Sequence, residues 1–171
     1  DPPEATPGVP AVEPPVTPSD PLKSVEEIVA ELDPSVCCLL TPTSTGSGFV
    51  VGPSLIATNK HVIGETDAGE MAIEFPTRGE EQYQVESIAY SNDQIDLVVL
   101  RVSSLPSDIT PIRIQPSAEL KKGEQIIVIG SPGGLRNAVT VGHFGSVQEL
   151  DGQKYLQLSV AVNPGNSGGP A

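Results

Sequence analysis

Apolar positions are sparse over the first 22 residues, DPPEATPGVPAVEPPVTPSDPL, where proline and acidic side chains alternate with little that could be buried. Such a stretch favours disorder or an extended polyproline II path, so residues 1–22 are read as a linker and 23–171 as the folded domain. The rhythm then changes. Val25, Ile28, Val29 and Leu32 recur at the spacing of one helix face, and Ser24 with Glu27 forms a capping box ahead of them. These residues predict a short amphipathic helix, closed by Pro34, whose apolar face packs on the rest of the domain. Beyond Pro34 the rhythm becomes that of strands. SVCCLLT, GSGFVV, LIATN, MAIEF, QVESIAY, DLVVLRV, PIRI, QIIVIG, AVTVGHFGSVQEL and YLQLSV are β-branched runs punctuated by Gly, Pro, Asn or Asp. Two hairpins are explicit, one turning at Gly52 to Ser54 and one at Asp151-Gly152. About ten short strands at this spacing predict an all-β barrel or sandwich.

Composition narrows the picture from there. The chain of 171 residues suffices for one domain with a sizeable core. With 22 acids against 9 bases its net charge is −13, which argues against nucleic acid or an anionic membrane surface as a partner. No apolar run approaches the roughly 20 residues that a spanning helix needs. Position 1 carries no initiator methionine and no secretory leader pattern comes after it, so it is not read as the start of translation. The cysteines are the neighbours Cys37 and Cys38. Adjacent residues rarely meet disulfide geometry, so both are read as small buried hydrophobes rather than a redox or metal pair.

The candidate chemistry centres on NPGNSGGP, residues 163–170. Glycines on both sides of Ser167 permit close backbone approach, which suits either a plain surface loop or a nucleophile beside oxyanion-binding N–H groups. A nucleophilic serine needs a base. His61 comes after the strand LIATN and stands where a strand ends, a good place from which to line a site. His143 lies inside VTVGHFGSV and has no such advantage. A carboxylate must orient the imidazole. Asp96 opens the apolar run DLVVL, where at least partial burial would call for a partner, while Asp93 and Asp108 are rivals on composition.

Taken together, TNKHV, DLVVL and GNSGGP, in the order His, Asp, Ser, resemble the trypsin-like serine peptidases. With SGSGFVV, IVIGSPGGL, VTVGHFGSV and VNPGNSGGP they most resemble the HtrA/Deg branch, from about Ser24 to Ala171. The resemblance implies a chymotrypsin-like double β-barrel and a metal-free serine endopeptidase without cofactor. It implies His61 as general base, Asp96 as orienting carboxylate and Ser167 as nucleophile, with an oxyanion hole from the backbone N–H groups of Gly165 and Ser167. Such donors contribute about 2.7–4 kcal/mol each. Ala161 and Val162 would floor an apolar specificity pocket, suited to small or medium aliphatic side chains. Unfolded or extended polypeptide substrates, a role in protein quality control, a homo-oligomer (a trimer) and an extracytoplasmic, periplasmic or membrane-tethered location are implied likewise. Asn166 departs from the aspartate of cleavage-activated relatives, and a neutral amide cannot pair with a new N-terminus. Activation without a zymogen cut is therefore expected, with loop order as the means of regulation and 123–135 as candidate loops.

The family closes its second barrel with strands that lie beyond the serine, and only four residues stand after Ser167 here. The second barrel is expected to be truncated at the C-terminus, and the chain to be a fragment that is poorly active alone. Two other classes compete with the peptidase. One is a catalytically silent barrel that binds peptides or proteins, and the other is a structural β-domain with a chance GNSGGP.

Overall fold

Strand pairing in the computed structural model, which describes residues 23–131, 137–161 and 165–171, divides the chain into a closed barrel and a smaller sheet. The Pro-rich segment 1–22 lies outside the described residues. Helix α1, Val25–Leu32, begins with the expected capping box: the Glu27 N–H donates to Ser24 Oγ at 3.2 Å and the Ser24 N–H donates to Glu27 Oε2 at 2.7 Å. It runs directly into a 3-10 turn, Asp33–Ser35, that contains Pro34. None of its residues is fully buried, so its apolar stripe is covered only in part, less than the periodicity predicts.

Six strands form the barrel: β1 Val36–Leu40, β2 Thr45–Gly52, β3 Leu55–Thr58, β4 Ala72–Glu74, β5 Gln82–Asn92 and β6 Leu97–Val102. Their order is β1-β2-β3-β6-β5-β4, closed by antiparallel pairing of β1 with β4. Closure leaves the barrel no unpaired edge. The hairpin between β2 and β3 turns at Pro53 and Ser54, and Ser54 takes the left-handed φ of 58° that such a turn demands. Inside lie Leu39, Val50, Ile56, Met71, Ile73 and Phe75, among others, with Phe75 and Tyr83 edge to face at 5.7 Å.

The smaller sheet has β7 Gln125–Gly130, β8 Ala138–Leu150 and β9 Gln153–Leu158, in that order. Asp151 and Gly152, at φ 52° and 78°, make the expected two-residue turn. Its buried cluster is small, made of Ile126, Val128 and Phe144. Strand β7 lies against β1 and β2, which joins the sheet to the barrel. That junction explains why SVCCLL does not alternate. A strand covered on both faces reads as one apolar run. Cys37 joins the barrel core, and its neighbour Cys38, which must face the other way, is also fully buried. The two form no disulfide.

Nine strands appear among the described residues, so one expected strand is missing. PIRI, residues 111–114, is not a strand; Ile112 N donates to Val50 O at 2.8 Å, but no ladder extends from it. Pro111 has no N–H to offer, and Ile114 is 72% exposed.

Candidate active site

Immediately after β3 the chain makes a single helical turn, α2, Lys60–Ile63, where strand periodicity predicts only the start of a loop. His61 stands on this turn. Opposite it, the four residues between β5 and β6 form a tight connection in which Asn92 Oδ1 accepts from the Gln94 and Ile95 N–H groups. That connection ends on Asp96, at φ 52°. Aspartate is one of the few side chains that tolerates this region. Three bonds then lock the two segments together at the backbone and beside it. Asn59 Nδ2 donates to Asp96 O at 2.9 Å, Lys60 N donates to the same oxygen at 3.2 Å, and His61 N donates to Asp96 Oδ1 at 2.8 Å.

The second carboxylate oxygen, Asp96 Oδ2, lies 2.6 Å from His61 Nδ1. With the carboxylate ionised, Nδ1 is the donor, which leaves Nε2 as the nitrogen able to take up a proton. Partial burial works against the Asp96 charge. The bond from the His61 ring, the His61 backbone N–H and the electrostatic attraction of His61 outweigh it and hold the carboxyl below its ordinary range. The pair is accessible: the His61 side chain is 57% exposed and that of Asp96 is 44% exposed. The rivals sit elsewhere. Asp93 is an exposed residue of the connection, and Asp108 pairs with Arg78. His143 is exposed on β8, and its backbone N–H meets Ser159 Oγ at 3.3 Å.

Ser167 lies on a turn wedged between the barrel and the smaller sheet. Its carbonyl accepts from Ser47 N in β2 at 2.8 Å, Asn166 O accepts from Gly169 N at 3.0 Å, and Ile129 N in β7 donates to Pro170 O at 3.1 Å. Gly168, at φ 86°, shows why glycine stands next to the serine. A Cβ there would stand 2.2 Å from both Ser47 O and Thr58 Oγ1, and 3.2 Å from Asn59 N, so the turn touches the segment that carries His61. Among the described residues, the N–H groups of Gly165 and Ser167 donate to nothing, and His61 and Ser167 share no hydrogen bond.

Asn166 is 5% exposed, and its amide nitrogen and oxygen have no partner among the described residues. Ala161 is exposed, whereas Val162 falls outside the described residues. Of the proposed regulatory stretch 123–135, Gly123 ends a turn and its N–H bonds Phe144 O at 2.8 Å, 125–130 is strand β7 rather than loop, and 132–135 lies outside the described residues. Ser47, Thr58 and Asn59 were not singled out by sequence reasoning, although they lie within or beside the motifs GSGF and TNKH. A serine between two glycines in a strand is the signal that could have drawn attention to Ser47.

A histidine and aspartate on one β-barrel, meeting a Gly-rich serine turn at the seam with a second sheet, define the class of the trypsin-like peptidases. The model of the trypsin-like peptidase domain matches residues 46–171, and the chain belongs to that family, on its HtrA side. It is 38% identical over 132 residues to a probable periplasmic serine endoprotease DegP-like of Hahella chejuensis (strain KCTC 2396), covering 74% of this chain and 27% of that protein. It is 33% identical over 141 residues to serine protease HTR4 of Rattus norvegicus, covering 75% of this chain and 27% of that protein. Among solved structures, Deg5 superposes with a TM-score of 0.72 at 26% identity, over 87% of this chain and 80% of that one. The chain thus spans 27% of the length of these two curated relatives.

Proposed function

We propose that the protein to which this domain belongs is a serine endopeptidase that works through an acyl-enzyme. The observation that carries the reading is the His61–Asp96 pair, with both carboxylate oxygens engaged by one histidine at 2.6 and 2.8 Å. Ser167 Oγ attacks the scissile carbonyl while His61 Nε2 takes its proton. Asp96 holds the ring in that tautomer and stabilises the imidazolium that forms. The carbonyl oxygen becomes an oxyanion, received by the backbone N–H groups of Gly165 and Ser167, which donate to nothing among the described residues. His61 then gives the proton to the departing amine, the C–N bond breaks, and the acyl group remains on Ser167. Water, deprotonated by His61, releases the second product.

The proposal extends to substrate and setting. The DegP-like relative is named periplasmic, which supports an extracytoplasmic location. Extended or unfolded polypeptides are the substrates, and the working form is a homo-oligomer, a trimer on the family's pattern. The neutral Asn166 gives a newly released N-terminus no ion pair to make, so activity requires no N-terminal cut. Ala161 and Val162 bring no acidic group to the pocket, which disfavours Arg and Lys before the cut and favours small or medium aliphatic side chains.

A fluorophosphonate probe tests the reading on the intact protein. Labelling at Ser167 that vanishes in His61→Ala is the expected result. A folded intact protein that never labels would instead leave a silent binding barrel.

A further inference from the structure

We infer that Ser47 is a positioning residue for the oxyanion-binding turn, an inference that rests on the peptidase reading. Ser47 sits in β2 between Gly46 and Gly48 and is 0% exposed. A buried hydroxyl is costly unless bonded, and this one is fully engaged. Its Oγ donates to Gly165 O at 2.5 Å and accepts from Ser131 N at 2.7 Å. A carbonyl cannot donate and an N–H cannot accept, so the direction of both bonds is fixed. Its own N–H takes Ser167 O at 2.8 Å, and its carbonyl accepts from Thr58 Oγ1 at 2.6 Å.

One strand residue therefore grips both ends of Gly165-Asn166-Ser167. Its side chain holds the first carbonyl and its backbone holds the last. The middle carbonyl is used within the turn by Gly169 N at 3.0 Å. A peptide plane carries one carbonyl with the next N–H, so the bond on Asn166 O orients the Ser167 N–H, while the bonds on Gly165 O and Ser167 O fix the chain on either side of it. Gly165, at φ 101°, has no Cβ to restrict its backbone, so an outside anchor matters most at that residue. The same hydroxyl also ties Ser131, the residue after β7, so barrel, sheet and turn meet on one oxygen.

Removing an oxyanion donor outright costs about 10²- to 10³-fold in kcat, so loosening its support costs less, about 10- to 100-fold. The test is Ser47→Ala in the intact protein, assayed on fluorescein-labelled casein and with the fluorophosphonate probe. We expect kcat and labelling rate to fall together by about that factor, with KM within about twofold of wild type. Ser47→Thr, which keeps the hydroxyl, should restore kcat to within about threefold. If the alanine variant fails to fold, Ser47→Cys takes its place, because a thiol is a weak donor, and the same fall is expected. An unchanged kcat, a rise in KM that accounts for the loss, or a folded threonine variant no better than alanine overturns the inference. Wild-type protein that does not label overturns the peptidase reading itself, a separate outcome.

Discussion

Asp96 joins two demands in one residue, a left-handed backbone at φ 52° and a carboxylate with two oxygens on His61. Alanine at that position would mix strain of about 1–2 kcal/mol with loss of the charge, because it lacks the short polar side chain whose local hydrogen bonds offset the crowding of Cβ in this region. Asparagine tolerates the same backbone, so Asp96→Asn isolates the chemistry. Its amide can donate to Nδ1 and favours the unproductive tautomer. A fall in kcat of roughly 10³- to 10⁴-fold is expected, with the fold retained at neutral pH. The same variant tests the charge. The Asp96 carboxyl titrates lower in the folded protein than in the unfolded chain, so its contribution to stability is present above about pH 4 and is lost as pH falls through the depressed folded value. Urea unfolding of both proteins from about pH 7 to about pH 3 should show the gap between them closing toward the acid end.

At the scale of elements, α1 has no fully buried residue, so its cap should matter locally. Ser24→Ala removes one half of a reciprocal cap and should cost the helix about 1 kcal/mol. Amide exchange should then quicken at Ile28 and Val29 while the β1–β6 amides stay unchanged. The cap, both hairpin turns and nine strand runs were legible because each depends on short-range chemistry. The helix spacing was legible too, but not how little of its apolar face would be covered. PIRI failed for a physical reason: a proline at its head and no partner strand alongside leave one backbone bond where a ladder was expected. The single turn of α2 was hidden because four residues carry no periodicity to read. The pairing of His61 with Asp96 was inferred from their places at strand ends and from the order of the motifs. Asp93 and Asp108 could be set aside only once the connection after β5 and the Arg78 pair were visible. The grip of Ser47 on Gly165 spans 118 residues of sequence, and no local pattern announces a bond of that reach.

Across the whole molecule, burial is uneven. The barrel encloses a broad cluster that includes Phe75, Leu100 and Met71, whereas the smaller sheet buries a cluster of three apolar side chains among the described residues. Cooperative resistance to opening should therefore reside in the barrel, with the sheet parting from it at lower free energy. Strand β1 lies between the two bodies, and its neighbouring thiols face opposite ways. Burial pushes the Cys37 thiol up, well away from the reactive thiolate, for as long as the barrel stays shut. Mass-resolved alkylation under native conditions should accordingly modify Cys38 first and Cys37 much later; equal rates would mean that the two bodies open as one. The adjacent sulfurs thus serve as a pair of built-in clocks, one timing the parting of the halves and the other the breaching of the barrel wall.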